Sequence, residues 1–183
     1  WAPWNLACMA VLWCLLKLIH ELAHGISCKR FGGHVREAGV VLIAFAPIPY
    51  VDVTSSWRFK SNWKRMFVAA AGMYVELFIA AIATLVWIHA EPGLVQQQAY
   101  NLMITASLIT LVFNANPLMR FDGYYMLSDW LGIPNLYGLG QHYTQYLGRR
   151  YFAGVKTKLP QWTIRKSIYI KTYGVLSFFW RIL

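Results

Sequence analysis

The chain has 183 residues, of which 58% are apolar, against a globular norm of about 45–50%, and only 13% are charged. Lys and Arg number 17 against 7 Asp and Glu, giving a formal net charge of +10. That composition excludes an ordinary water-soluble globule, and a nucleic-acid binder would carry the positive charge without the apolar excess. Aromatics at 16%, with nine Trp, suit rings seated at lipid headgroup level and cations facing anionic lipid.

The three cysteines, Cys8, Cys14 and Cys28, form no Cys-x-x-Cys pair, which argues against a disulfide framework and a cysteine-based zinc knuckle. The chain opens on Trp1 instead of Met and lacks a signal peptide's cleavage site. The expectation is a single membrane-embedded domain over 1–183, itself an internal fragment with flanks missing.

Spanning a hydrocarbon core of about 30 Å takes about 20 apolar residues. Four segments approach that length: 4–27, 66–89, 101–118, and 168–183, the last cut off at Leu183. Between the first two, residues 31–57 place Gly32, Gly33, Gly39, Pro47 and Pro49 around the apolar run Val40 to Ala46. That run is too short to span and predicts a membrane-associated β-hairpin or re-entrant segment. Residues 119–167 mix Gly, Tyr, Gln and basic residues without a clear period, which predicts a cytosolic or interfacial connector. The expected fold class is an all-α polytopic membrane protein: a three-span catalytic core, a partial fourth span and the short hairpin.

Seven basic residues fall in 25–66 and eight in 117–171, whereas the loop 90–100 has none. By the positive-inside rule the two basic stretches are cytosolic and the Glu91 loop faces outward. The protein is therefore expected in the cytoplasmic membrane, its cytosolic face against anionic lipid.

His20, Glu21 and His24 form His-Glu-x-x-His at the end of the first span. Residues four apart lie about one helical turn apart, so both imidazoles project from one face and can share a zinc ion, while Glu21 is placed to deprotonate the attacking water. Three ionisable groups at one end of an apolar helix mark a functional site, because such groups are costly within a bilayer. Catalytic zinc usually takes three protein ligands. Asp122, just past the third span and on the same side as the histidine pair, is the preferred third; Glu76 within the second span, and Asp52, Asp129, His34 and His142 in connectors, are the other candidates. Pro117 would break the helix after Asn116 and Gly123 permits a tight turn, so Asp122 would be presented on irregular backbone lining a cavity.

His-Glu-x-x-His ending one span and Asn-Pro-x-x-x-x-Asp-Gly (116–123) ending another resemble the site-2 protease family of intramembrane zinc metalloproteases. The phrases Pro49-Tyr50-Val51-Asp52-Val53 and 114–125 are similar to its bacterial branch of peptide zinc metalloproteases. The resemblance covers about Leu6 to Leu136. It implies a three-span core with its site near the cytosolic face, one zinc per chain held by His20, His24 and Asp122, Glu21 as base, and cleavage of a substrate's transmembrane or juxtamembrane segment. It also implies that the hairpin pairs with an unwound substrate strand. Asn116 resembles the family's motif Asn, whose amide would donate to the oxyanion; the alternative is a helix C-cap before Pro117. One departure is that Gly72 is followed four residues later by Glu76, where many relatives have Asn, Ser or Gly. Glu76 would either orient a ligand imidazole or sit protonated and hydrogen-bonded within the bundle.

The expected function is peptide-bond hydrolysis on membrane-associated or transmembrane substrates. A rival from another class is a zinc-binding, non-proteolytic scaffold or partner in export or peptide modification. Glu21 argues against it, since a structural site has no need of a base. A metal transporter would distribute its ligands through several spans.

Overall fold

The computed structural model describes residues 3–43, 46–152, 154, 160 and 162–182. Helix α1 runs Pro3–Arg30, followed by strands β1 (Ala38–Ile43) and β2 (Ala46–Val51) and a 3-10 turn, Thr54–Arg58. Helix α2 (Asn62–His89) returns alongside α1, and α3 (Leu94–Ile109) passes into a π-helical turn, Thr110–Asn114. Three further helices complete the described chain: α4 (Asp122–Leu131), α5 (Leu136–Phe152) and α6 (Ile164–Trp180).

The seam between α1 and α2 follows from residue spacing. Val68, Gly72, Glu76, Ala80 and Ala83 recur along one face of α2 and are buried there. On α1 the buried residues Leu16, His20, His24 and Cys28 recur every four. Rows spaced by four on both helices interdigitate, and the small side chains on α2 let the backbones approach. Leu16, Ala80 and Ala106 close the junction where α3 joins the pair. α1 ends where Gly32 turns left-handed at φ +86°, with Gly33 N–H donating to Cys28 O (2.9 Å) and Gly32 N–H to Lys29 O (3.0 Å). These two bonds satisfy carbonyls that the helix end leaves free.

β1 and β2 form an antiparallel hairpin with Ala38 opposite Val51 and Ile43 opposite Ala46, within the stretch where the sequence predicts one. β2 lies against α1, and Val51 packs near Gly25. On the other side of the seam, Tyr124, Ile133, Leu136, Ile170 and Tyr173 bring α4, α5 and α6 around a second cluster. α4 is fastened to the start of α2 by the Arg65–Asp129 ion pair (2.7 Å) and by Asn62 Nδ2 donating to Asp129 O (2.9 Å). Helices α4 and α5 occupy much of the stretch 119–167, expected as a cytosolic or interfacial connector.

The three-span core with a partial fourth span is overturned. Among the described residues only two helices, Trp4–Arg30 and Asn62–His89, are long and apolar enough to cross a membrane. The expected third span, 101–118, is not a continuous helix: α3 begins earlier, at Leu94, and its regular turns end at Ile109. Its 16 residues, at about 1.5 Å each, reach about 24 Å, short of a hydrocarbon core of about 30 Å. The expected fourth span, 168–183, is the 17-residue α6, short for the same reason. The protein is mostly helical, with two candidate spans, shorter helices packed on them and a two-stranded sheet.

α5 and α6 cross at Gly140 and Gly174, where a Cβ on Gly174 would meet Gly140 O at 2.7 Å. Gly174→Val is expected to destabilise the fold by about 1–3 kcal/mol through overpacking against backbone. Gly148→Ala, where an added Cβ meets nothing within 4 Å, should be neutral or stabilising by up to about 1 kcal/mol. Thermal unfolding in detergent checks both; equal midpoints for Gly174→Val and the unsubstituted protein would show that the crossing is not close.

Candidate metal centre

The last turns of α1 hold His20 and His24 side by side, both nearly inaccessible at 5% and 6% exposure. Their rings meet edge to face with centroids 4.7 Å apart, and the two Nε2 atoms are 3.0 Å apart. Asp122, first residue of α4, brings its Oδ2 to 3.1 Å from His20 Nε2 and 3.5 Å from His24 Nε2. These three residues form a cluster that can hold a metal ion.

The far nitrogens of both rings fix which atom faces that cluster. His24 Nδ1 donates to Val68 O at 2.7 Å, which leaves the lone pair on Nε2. His20 Nδ1 lies 3.2 Å from Glu76 Oε1, close but not aligned as a formed hydrogen bond. A carboxylate beside Nδ1 places the proton there and again turns the Nε2 lone pair toward the cluster. Three acceptor atoms facing one another repel unless a proton or a cation lies among them.

The donor set fits zinc. Bonds of about 2.0–2.1 Å in tetrahedral geometry put ligand atoms about 3.3 Å apart, and the observed triangle is 3.0, 3.1 and 3.5 Å. Asp122 Oδ2 is buried yet accepts no hydrogen bond, an orphan that coordination would satisfy.

Local sequence explains the placement. Gly72 lies directly under both rings: a Cβ there would sit 2.5 Å from His20 Nε2 and 2.5 Å from His24 Nε2. Gly123 acts through close approach, since a Cβ on it would collide with the backbone carbonyl of Ala115. It therefore lets α4 start against the end of the π-turn, which carries Asp122 to the histidines.

Glu21, His24 and Asp122 border a cavity of about 750 Å³, with Val51 from β2 and the aromatic pair Trp57 and Tyr125 among its walls. Asn116 is not drawn into the cluster; its Oδ1 accepts the Leu118 N–H at 2.9 Å across Pro117. Among the other expected candidates, Asp129 pairs with Arg65 and Glu76 lies deeper, behind His20. Asp52 accepts the Thr54 N–H at 2.9 Å, and the Thr54 hydroxyl and N–H together hold its carboxyl below the usual range. His34 and His142 lie outside the described cluster.

Sequence reasoning missed four contributors. Gly72 makes room for the rings, and Lys17, Thr110 and Asn114 converge on Glu76. The available signal was polar residues repeating at helical spacing inside apolar runs: Lys17 three before His20, and Thr110 four before Asn114.

Comparisons with known proteins give two distant relatives. An uncharacterized protein of Methanocaldococcus jannaschii is 32% identical over 78 residues, covering 42% of this chain and 21% of that protein. The "Putative peptide zinc metalloprotease protein YydH" of Bacillus subtilis is 25% identical over 132 residues, covering 71% of this chain and 50% of that protein. The chain thus spans half or less of the length of these relatives. No protein-family model matches it, and no solved structure does.

Gly72→Ala is expected to weaken zinc binding at least about tenfold by displacing both ligand rings, while Gly148→Ala leaves it unchanged. Competition titration against a chromophoric chelator in detergent measures this. Zinc affinity unchanged in Gly72→Ala would mean that the rings do not bind metal where they lie.

Proposed function

We propose that this chain is the core of a zinc metalloprotease that hydrolyses peptide bonds of membrane-associated or transmembrane substrates. The observation that carries the reading is the convergence of His20 Nε2, His24 Nε2 and Asp122 Oδ2 beside Glu21 at the wall of a cavity. The distant likeness to a bacterial protein named as a zinc metalloprotease supports the same chemistry.

His20, His24 and Asp122 would hold one zinc ion. When bound, zinc polarises the scissile carbonyl and lowers the pKa of water from 15.7 to about 7. Glu21, one residue from His20 and half-buried at the cavity wall, takes the proton of the attacking water and returns it to the leaving amine. Asn116 offers its side-chain amide to the developing oxyanion, its carbonyl oxygen being engaged by Leu118. Trp57, Tyr125 and Val51 give the cavity apolar walls, which suits side chains from a membrane segment. Peptide bonds within a helix are shielded, so the substrate enters locally unwound, with the hairpin ending at Val51 beside it.

The two apolar helices cross the bilayer, with the end of α1 and the start of α2 on the cytosolic side. Lys29, Arg30, Lys60 and Lys64 gather at that end, where they meet anionic lipid, and exposed Trp57 and Trp63 anchor at headgroup level. The metal centre then lies near the cytosolic face, reached by water from that side.

Glu21→Gln is expected to retain one zinc per chain and lose at least about 100-fold in cleavage rate. His20→Ala, His24→Ala and Asp122→Ala should lose both zinc and cleavage. Metal analysis of purified protein, paired with cleavage of co-expressed membrane peptides, reads both quantities. Zinc at one per chain with no turnover of any peptide would favour a non-proteolytic scaffold, and undiminished cleavage by Glu21→Gln would remove Glu21 as the base.

A further inference from the structure

Glu76 is the one acid buried without any exposure in the middle of an apolar helix, and its two oxygens have divided partners. Oε1 receives Lys17 Nζ at 2.6 Å and faces His20 Nδ1 at 3.2 Å. Oε2 accepts the Thr110 hydroxyl and the Asn114 amide, the latter at 2.9 Å. Those donors come from α1 and from the π-turn, so the carboxylate on α2 ties three segments together behind His20.

Two readings of such a group compete. As packing, an ion pair in an apolar seam is a poor choice, because well-packed apolar residues of similar volume are often as stable or more so. As a device acting on His20, the arrangement has a clear logic. An ionised carboxylate only accepts, so the nitrogen facing it must carry the proton. The Thr110 and Asn114 bonds stop the carboxylate from turning, and Lys17 balances its charge at that depth.

We infer that Glu76 is a positioning residue for the metal centre: held by Lys17, Thr110 and Asn114, it fixes His20 with its proton on Nδ1 and its Nε2 lone pair aimed at the metal. The π-turn belongs to the same device. It carries both Thr110 and Asn114, which meet one carboxylate oxygen, and it closes with Ala115 N–H reaching back to Thr110 O at 2.7 Å. A regular α-helix would bond Ala115 to Leu111 instead. This inference rests on the zinc reading above but not on proteolysis.

The test separates the acceptor from the charge and from packing. In a Lys17→Met background, which avoids stranding an ammonium, Glu76→Gln keeps an oxygen for His20 and Glu76→Leu removes it. Zinc affinity by chelator competition is expected to fall about 10–100-fold in the Leu variant and to stay within about threefold of the parent in the Gln variant. Visible absorption of the cobalt-substituted protein should change in the Leu variant alone. Equal affinities in the Gln and Leu variants, or a loss explained wholly by a lower unfolding midpoint of the metal-free protein, would overturn the inference. Nitrogen NMR of zinc-loaded, histidine-labelled unsubstituted protein needs no variant to fold: a proton on His20 Nδ1 with metal at Nε2 supports it, and metal at Nδ1 overturns it. Failure of the unsubstituted protein to bind zinc would instead remove the metal centre itself.

Discussion

The contact between Gly72 and the two imidazoles sets the distance between α1 and α2, and the remaining geometry of the site follows from that distance. With no side chain at 72, the rings of His20 and His24 lie against bare backbone. The next positions one turn away on either side then fall opposite the far nitrogens: Val68 offers its carbonyl to His24, and Glu76 its carboxylate to His20. A single row of α2, spaced by four, supplies a carbonyl, a space and a carboxylate to a single row of α1. Antiparallel helices with matched spacing keep that registration further along the seam, where Leu16 meets Ala80.

The third arm arrives by a different physical route. A regular helix carried on from α3 would lead the chain past the histidines, and three features prevent this. The π-turn at Thr110–Asn114 ends the α3 ladder, Pro117 forbids its resumption, and Gly123 allows α4 to begin in contact with the carbonyl of Ala115. Asp122 is therefore delivered by irregular backbone, yet that backbone is anchored: Asn114 bonds Glu76 on α2, and α4 bonds the first turn of α2 through Asp129. Both ends of the loop are tied to α2, the helix that buttresses the histidines.

The motif His20-Glu21-x-x-His24 was legible because its meaning depends only on helical spacing within one segment. Asp122 was legible as the acid following a helix-breaking Pro on the expected side of the chain. The long apolar runs near 4–27 and 66–89 correspond to α1 and α2, since continuous hydrophobicity and continuous helix coincide there. They part company in 101–118: hydropathy counts apolar residues and is blind to the π-turn and to an early start at Leu94. Helices α4 and α5 were missed for the opposite reason. Their apolar faces, such as Tyr124 and Leu136, are short and mixed with polar residues, and they become helical by packing on α6 and on one another. Gly72, Lys17, Thr110 and Asn114 could not be assigned roles from sequence because each acts on a residue far along the chain.

The charge inventory of the seam gives the arrangement its electrostatic sense. A carboxylate behind a ligand imidazole strengthens that ligand, but an unbalanced one buried in apolar surroundings would be costly and would tend to take up a proton. Protonated, it would no longer be an acceptor on both oxygens. Lys17, 2.6 Å away on the same helix as His20, balances that charge and leaves the pair neutral as a whole. The negative charge offered directly to a bound dication is then that of Asp122, with Glu21 nearby. A Lys17–Glu76 pair that is a poor stabiliser of two packed helices is thus a good way to orient one imidazole without adding net charge to the centre.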